Sequence, residues 1–363
     1  MKARPASPLG VALIGVGHVA DRYVEQMSHY ESVRLVGAAS RSAANAQRFA
    51  QRHGVRAYAS VDELLADPAV DLVVNLALHT AHAKLNARCL RAGKHVYSEK
   101  PLALDAATAR ELVALARRHR VRLGCAPSTF LGEAHQTAAR LLRAGRIGNV
   151  RAIYAEVNHG RIENYHPAPE PFFAVGALWD VGVYPLTALT ALFGPVRSVS
   201  ATARLLLRDR VAKGGRKFRI RTPDFVVATL DLASGPVVRL TTNFYVSRDL
   251  SKGGGSIEYH GDEGRIFVGD FQSFDAPVEL SVGSKPYAPV RPVRKPYPGI
   301  EFGRGLQDMA DAIREDRPHR ATGEHAAHVV DVIEALHRSI ARDGAAMAVR
   351  SRFVSPAPLP WAT

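Results

Sequence analysis

The sequence predicts an α/β protein whose first half folds as a doubly wound parallel sheet, and three observations predict it. Short, continuous apolar runs alternate with helical stretches from Val11 to Ala126, the pattern of strands covered on both faces by crossover helices. The first run leads directly into Gly15-Val16-Gly17-His18-Val19-Ala20, a G-x-G-x-x-A turn placed between a strand and a helix. The length of 363 residues, with 47% hydrophobic and 23% charged, suits two domains of ordinary globular composition.

Each element follows in order. Val11 to Ile14 is a strand, and a helix runs from the glycine turn through Met27. Val33 to Ala39 is the second strand and Ala43 to His53 the next helix; Val55 to Tyr58 is a third, shorter strand. Asp62 is expected to cap a helix reaching Ala66. Asp71 to Leu76 is the fourth strand, followed by a helix from Ala81 to Ala92 that Gly93 stops. Lys94 to Ser98, a helix from Ala106 to His119, and Val121 to Ala126 complete the repeat. A boundary near Pro127 divides the chain into domains 1–127 and 128–363. Beyond it, strands are expected over Val150–His159, Val196–Leu207, Phe225–Leu232, Val237–Tyr245, Ser256–His260 and Arg265–Val268. Alternation such as Thr229-Leu230-Asp231-Leu232 suits a sheet with unlike faces.

The charge is unusual: 48 Lys and Arg against 34 Asp and Glu give +14. A basic balance admits nucleic acid, a membrane surface or anionic small molecules as partners. Only nine of the basic residues are lysine, and the arginines are dispersed along helical stretches rather than gathered in one arm. No nucleic-acid-binding module accompanies them. Cys89 and Cys125 sit in apolar surroundings and suit buried free thiols rather than a disulfide or metal site. Met1 to Gly10 has no apolar signal region, and no apolar run reaches membrane-spanning length. The sequence reads as soluble and cytoplasmic.

The glycine turn carries specific chemistry. Gly15 permits the tight turn, Gly17 lets backbone approach a pyrophosphate, and Ala20 allows close helix–strand packing. The helix N-terminus, with His18 and Val19, offers free N–H groups to phosphate oxygens. The end of the second strand selects the cofactor. NAD-preferring sites usually place a carboxylate there for the ribose hydroxyls. Ala39-Ser40-Arg41-Ser42 has none, while Ser40 and Arg41 offer donors and charge, so NADP is preferred and NAD remains possible. The alternative is an Arg41 that stacks on adenine and serves either cofactor.

At the end of the fifth strand stands Glu99-Lys100-Pro101-Leu102-Ala103, after Ala92-Gly93-Lys94-His95-Val96. Together with the glycine turn and the Asn75-Leu76 to His82 strand end, this resembles the Gfo/Idh/MocA oxidoreductase family. The resemblance extends through Thr222-Pro223-Asp224 to the late helices between Gly305 and Ala341. It implies an N-terminal Rossmann doubly wound parallel sheet plus a C-terminal α+β domain with a large open, mostly antiparallel sheet. It also implies a polyol or sugar substrate, assembly as a homodimer or homotetramer, and cofactor contacts from Leu76, Ala77, His79, His82, Glu99 and Lys100. Without the family, a lysine at the C-terminal edge of a parallel sheet still faces the crevice where such folds bind ligands. There it can stabilise a developing alkoxide; on the residues alone it is equally a surface lysine paired with Glu99, and the resemblance favours the contact with the reacting oxygen.

Trp179-Asp180-Val181-Gly182-Val183-Tyr184 is similar to the family's D-x-G-x-H/Y segment, which implies catalytic roles for Asp180 and Tyr184 beside Lys100. A phenol with an ordinary pKa near ~10 needs assistance to act as a base at neutral pH. A lysine ammonium nearby could lower it, or Tyr184 could act chiefly as an acid in carbonyl reduction. Asp180, four residues earlier, would share its helix face and orient either partner. On the residues alone, a packed aromatic with a satisfied hydroxyl is the better reading of Tyr184. The chain departs from the family in the run before Asp180, where Val175-Gly176-Ala177 holds a single glycine. That departure keeps open a non-catalytic, cofactor-binding sensor. A redox-neutral lyase or glycosidase with recycled NAD is a third reading.

Weaker signals are structural. His325 and His328 share i, i+3 spacing but lack a third ligand, so no metal is expected. Leu205 to Arg221 suits a hairpin tip carrying solvated charge, Ser251 to Ser256 a turn, and Pro286 to Pro298 an extended connector over the substrate cleft.

Overall fold

The computed structural model describes residues 7–247 and 255–363. Ser251 to Gly254 of the expected turn, and the first six residues, lie outside them. The chain divides into two compact units: residues up to Ser128 with Glu301–Val330, and Thr129–Ile300 with Asp331–Thr363.

The first unit is built on a six-stranded parallel sheet. Its strands are β1 (Leu9–Ile14), β2 (Val33–Ala39), β3 (Arg56–Tyr58), β4 (Leu72–Asn75), β5 (His95–Ser98) and β6 (Leu123–Cys125), in the order β3-β2-β1-β4-β5-β6. Strand order reverses at β1 and β4, which opens a crevice beyond their carboxyl ends. Helices α1 (Ala20–Met27), α2 (Ala43–His53), α3 (Val61–Ala66), α4 (His82–Arg91) and α5 (Ala106–Arg118) connect the strands. Val11, Leu13, Leu72 and Val74 have no exposed surface, as continuous apolar strands require. The α3 cap differs from expectation. Ser60, not Asp62, accepts from the Glu63 amide at 3.1 Å, because the helix begins one residue before Asp62.

The second unit begins with α6 (Glu133–Arg143), β7 (Val150–Asn158), α7 (Glu170–Val175) and α8 (Val183–Phe193). Strands β8 (Val196–Arg204), β9 (Asp209–Val211), β10 (Lys217–Arg219), β11 (Phe225–Leu232) and β12 (Val237–Asn243) follow. Next come β13 (Ile257–Gly261), β14 (Gly264–Val268), β15 (Val278–Val282) and β16 (Ala288–Pro289). The chain ends through α9 (Arg304–Arg314), α10 (Gly323–Ile340) and β17 (Met347–Ala348). Among the described residues, nine strands form a mixed sheet, β16-β15-β14-β13-β7-β12-β11-β8-β17, in which only β7 and β12 pair in parallel. The alternation read in β11 is real: Val226, Ala228, Leu230 and Leu232 are buried and Val227, Thr229 and Asp231 exposed.

Three expectations change. The sequence places all of 128–363 in the second domain, but α9 and the start of α10 group with the first unit. There the Cys125 amide donates to Ala321 O at 3.1 Å and Gly124 bridges to Thr322, extending the edge of β6. The hairpin between 205 and 221 exists as β9 and β10, but Arg210 on it is fully buried rather than solvated. The proline-rich connector is pinned on α6, where Arg294 pairs with Glu133 at 2.7 Å and the Val293 amide donates to Thr137 at 3.1 Å. Cys89 and Cys125 are buried free thiols, and burial pushes the Cys89 thiol up to about 12. No helix among the described residues is long and apolar enough to cross a membrane.

His325 makes the fold acid-sensitive. Burial pushes its imidazole down to about 3, and His328 adds to the shift. That value lies below the ~6.5 of an unfolded histidine, so the folded state rejects the proton. The stability this group contributes is complete above about pH 6.5 and falls toward pH 3, by roughly tenfold in the folding equilibrium per pH unit. Urea denaturation from about pH 7 to pH 4.5 checks this, with His325→Leu expected to lose one proton's worth of pH dependence.

Candidate active site

A cleft of about 730 Å³ lies at the carboxyl ends of β1, β2 and β4, within the first unit. Gly15, Gly17, Ser40, Arg41, Leu76 and Ala77 all line it. Gly15 has φ +97°, and a Cβ there would lie 2.8 Å from the Leu76 carbonyl, so the turn and the β4 loop meet backbone to backbone. Gly17 is different: a Cβ would meet no protein atom within 4 Å. The space in front of Gly17 is therefore open to a ligand. Ala20 is buried, and its amide donates to Gly17 O at 3.0 Å, closing the turn onto α1. His18 is exposed and Val19 half-buried; both stand at the entry to α1, outside the cleft wall.

Ser42 accepts from the Asn45 amide at 3.3 Å and caps α2, which leaves Ser40 and Arg41 on the strand-to-helix turn at the cleft. Arg41 is exposed there. The lining also includes Ser60 and Arg88, which the sequence reading did not single out, and Asp62, which it read only as a helix cap. Arg88 pairs with Asp62 across the mouth of the cleft. Neither residue carries a motif for this place, and only their pairing in the fold, one from α4 and one from α3, reveals it.

The β4 and β5 ends are set by a buried polar network. Asn75 donates to Asn86 Oδ1 at 2.8 Å and Asn86 to Ser98 at 3.0 Å, while Asn75 Oδ1 accepts from the Ala77 amide at 3.2 Å. These groups are removed from water and satisfied by one another, which fixes the loops they hold. Asn86 was missed, although its place one helical turn after His82 in an otherwise apolar stripe is a sequence signal. His82 is 1% exposed, with Nδ1 2.8 Å from Pro101 O and Nε2 2.8 Å from Ala77 O, so it braces the Leu76–Ala77 loop. His79 opens a short turn, His79–Ala81, whose Thr80 and Ala81 reach the cleft wall. Glu99 Oε1 accepts from Tyr23 at 2.8 Å and Oε2 from the Lys100 amide at 3.1 Å, so its carboxylate ties β5 to α1. Burial, reinforced by Glu99, pushes the Tyr23 phenol well up. Lys100 follows at the sheet's carboxyl edge, half-buried.

Asp180 and Tyr184 belong to the second unit. Leu178–Gly182 forms a π-turn that runs into α8, an insertion of the kind frequent at functional sites. From Gly176 through Ala191 every residue is buried except these two. The mean hydropathy of the segment forces it inside, so the two polar side chains define its one open face. Tyr184, half-buried, rests edge-on against Phe271, ring centres 5.7 Å apart.

The residues present fit a dinucleotide: an open approach at Gly17, an uncapped helix N-terminus and an arginine at the end of β2. Comparisons with known proteins agree with this geometry. The oxidoreductase family described by an NAD-binding Rossmann fold, Gfo/Idh/MocA, matches residues 9–126, and the family's C-terminal domain matches 135–267. The chain belongs to the Gfo/Idh/MocA oxidoreductase family. It is 33% identical over 202 residues to trans-1,2-dihydrobenzene-1,2-diol dehydrogenase of Xenopus tropicalis, a match covering 54% of this chain and 60% of that relative's length. Among solved structures it resembles an aldose–aldose oxidoreductase from Caulobacter crescentus complexed with glycerol. The TM-score is 0.79 at 22% identity, over 94% of this chain and 99% of the other. It also resembles a 3-ketoreductase from Actinomadura kijaniata in complex with TDP-benzene and NADP. There the TM-score is 0.73 at 23% identity, over 92% and 98% of the two chains.

Proposed function

We propose that this chain is an NADP(H)-dependent oxidoreductase acting on a hydroxyl or carbonyl carbon of a sugar, cyclitol or related polyol. The observation that carries the reading is the cleft, with an approach open at Gly17 and Ser40 and Arg41 at the end of β2. The bound nicotinamide cofactor would supply or accept the hydride. Gly15, Gly17 and the α1 N-terminus would hold its phosphates. Arg41, with no carboxylate at the end of β2, would hold a 2′-phosphate. Lys100 would donate to the reacting oxygen and stabilise negative charge on it. Tyr184 would move the proton at its phenol oxygen, and Asp180 would orient that group.

The names of the relatives support this substrate class. One acts on a cyclic diol, and others are an aldose oxidoreductase and a 3-ketoreductase. Exposed Tyr154, Val227 and Val237 on the outer face of the second unit's sheet support self-association as a homodimer or homotetramer.

A spectrophotometric screen at the nicotinamide band tests the reading, using sugars, cyclitols, simple polyols and a trans-dihydrodiol with either cofactor. Turnover supports it. Tight cofactor binding with no turnover of any of them replaces it with the sensor. Arg41→Ala is expected to lower the NADP-over-NAD preference in kcat/KM by about tenfold or more, since one guanidinium–phosphate contact is lost. An unchanged ratio would mean that Arg41 does not read the 2′-phosphate.

A further inference from the structure

Arg210 lies in the stretch that the sequence marks as solvated, yet its guanidinium is fully buried between two fully buried carboxylates, Glu163 and Asp224. It donates to Glu163 Oε1 at 2.7 Å, to Asp224 Oδ2, to Leu207 O at 3.1 Å and to Phe244 O at 3.3 Å. Half-exposed Arg161 adds a second cation on Glu163 Oε1 at 2.8 Å, while Glu163 Oε2 accepts no hydrogen bond from the described residues. Burying such groups is costly, and apolar residues of similar volume often serve stability as well or better. What ions supply and apolar residues do not is direction. The fork of Arg210 joins the β9–β10 arm, the head of β11, the end of β12 and the loop holding Glu163.

That loop, residues 159–176, leads into the π-turn. Between β7 and the π-turn it has only two short turns of its own, Ile162–Asn164 and α7. The arm grips it through several contacts. Arg210 reaches Glu163, and the Lys213 amide donates to Glu163 O at 2.8 Å. Arg216 pairs with Glu170 at the start of α7. Phe173 of α7 lies under the Arg210 guanidinium at 4.5 Å and edge-on to Phe244 at 5.5 Å. Three residues after α7 the π-turn opens, and the Asp180 amide bonds back to Gly176 O at 3.1 Å.

We propose that the Glu163–Arg210–Asp224 cluster positions the Asp180–Tyr184 segment by locking the 159–176 connection to the β9–β10 arm. This deepens the functional reading above and rests on it. Arg210 and Glu163 are positioning residues, not catalytic ones. Hydrogen–deuterium exchange on the full chain tests the proposal with Arg210→Met and with Glu163→Gln/Arg210→Met, which leaves less uncompensated charge. Amides in 159–184 are expected to exchange at least about tenfold faster, while β13–β15 and the first unit stay as in the wild type. NADPH affinity should hold within about twofold, and kcat on a substrate that the wild type turns over should fall about tenfold or more. Arg210→Lys should recover part of kcat at most, because three donors on one nitrogen cannot span the four acceptors that the planar guanidinium reaches. Unchanged exchange in 159–184, or acceleration spread evenly over the second unit, overturns the proposal. The exchange readout does not depend on turnover, so a wild-type chain without activity refutes the functional reading alone.

Discussion

Replacing Lys100 by methionine is expected to lower kcat/KM by about a thousandfold while leaving NADPH affinity within a few-fold. The reason lies in where charge develops. A reacting oxygen gains negative charge as the bond to hydrogen changes hands, and a fixed ammonium lowers the energy of that state more than of the ground state. Methionine keeps most of the apolar stem and removes only the charge. The contact that holds the local backbone, Lys100 N–H to Glu99 Oε2, does not involve the lysine side chain and survives the change. Steady-state kinetics with a fluorescence titration of NADPH separate the two effects. A variant within tenfold of the wild type in kcat/KM would remove Lys100 from the chemistry, and one that loses NADPH binding would make it a cofactor ligand.

The two glycines of the turn should fail in opposite ways. Gly17→Ala meets no protein atom within 4 Å, so the variant is expected to fold with an unchanged Tm. Its methyl occupies the space through which backbone would approach a pyrophosphate, and NADPH affinity should fall about tenfold or more. Gly15→Ala places a Cβ 2.8 Å from the Leu76 carbonyl at φ +97°. It should cost about 1–3 kcal/mol of stability and lower the Tm whether or not cofactor is present. Thermal melts with and without NADPH decide both. Normal NADPH binding by Gly17→Ala would mean that the phosphates do not rest on this turn.

The sequence alone reaches far into the first unit because its signals are local. Buried parallel strands need uninterrupted apolar runs, and helices that cover them need period-3.6 stripes, so β2 and α2 appear at their observed bounds. The glycine turn announces itself because so few residues tolerate its geometry. In the second unit the strands are legible from alternation, β11 to the residue, whereas Asp180 and Tyr184 stand out only through the resemblance to the family's D-x-G-x-H/Y segment.

What the tertiary structure decides is where polar groups end up when distant segments meet. His82 carries the same local signal whether it faces a ligand or a pair of carbonyls, and only the approach of Pro101 and Ala77 makes it a brace. Arg210 sits among exposed arginines in the sequence, and burial distinguishes it only once Glu163, 47 residues earlier, and Asp224, 14 residues later, close around it. The return of α9 to β6 is equally silent, because a helix shows which face is apolar but not which sheet will cover it. Composition, periodicity and turn chemistry thus determined the parallel sheet, most strands of the second sheet and the glycine turn, while the candidate catalytic residues came from the resemblance to the family. The partners of buried charge were decided by the fold, since desolvation depends on neighbours far along the chain.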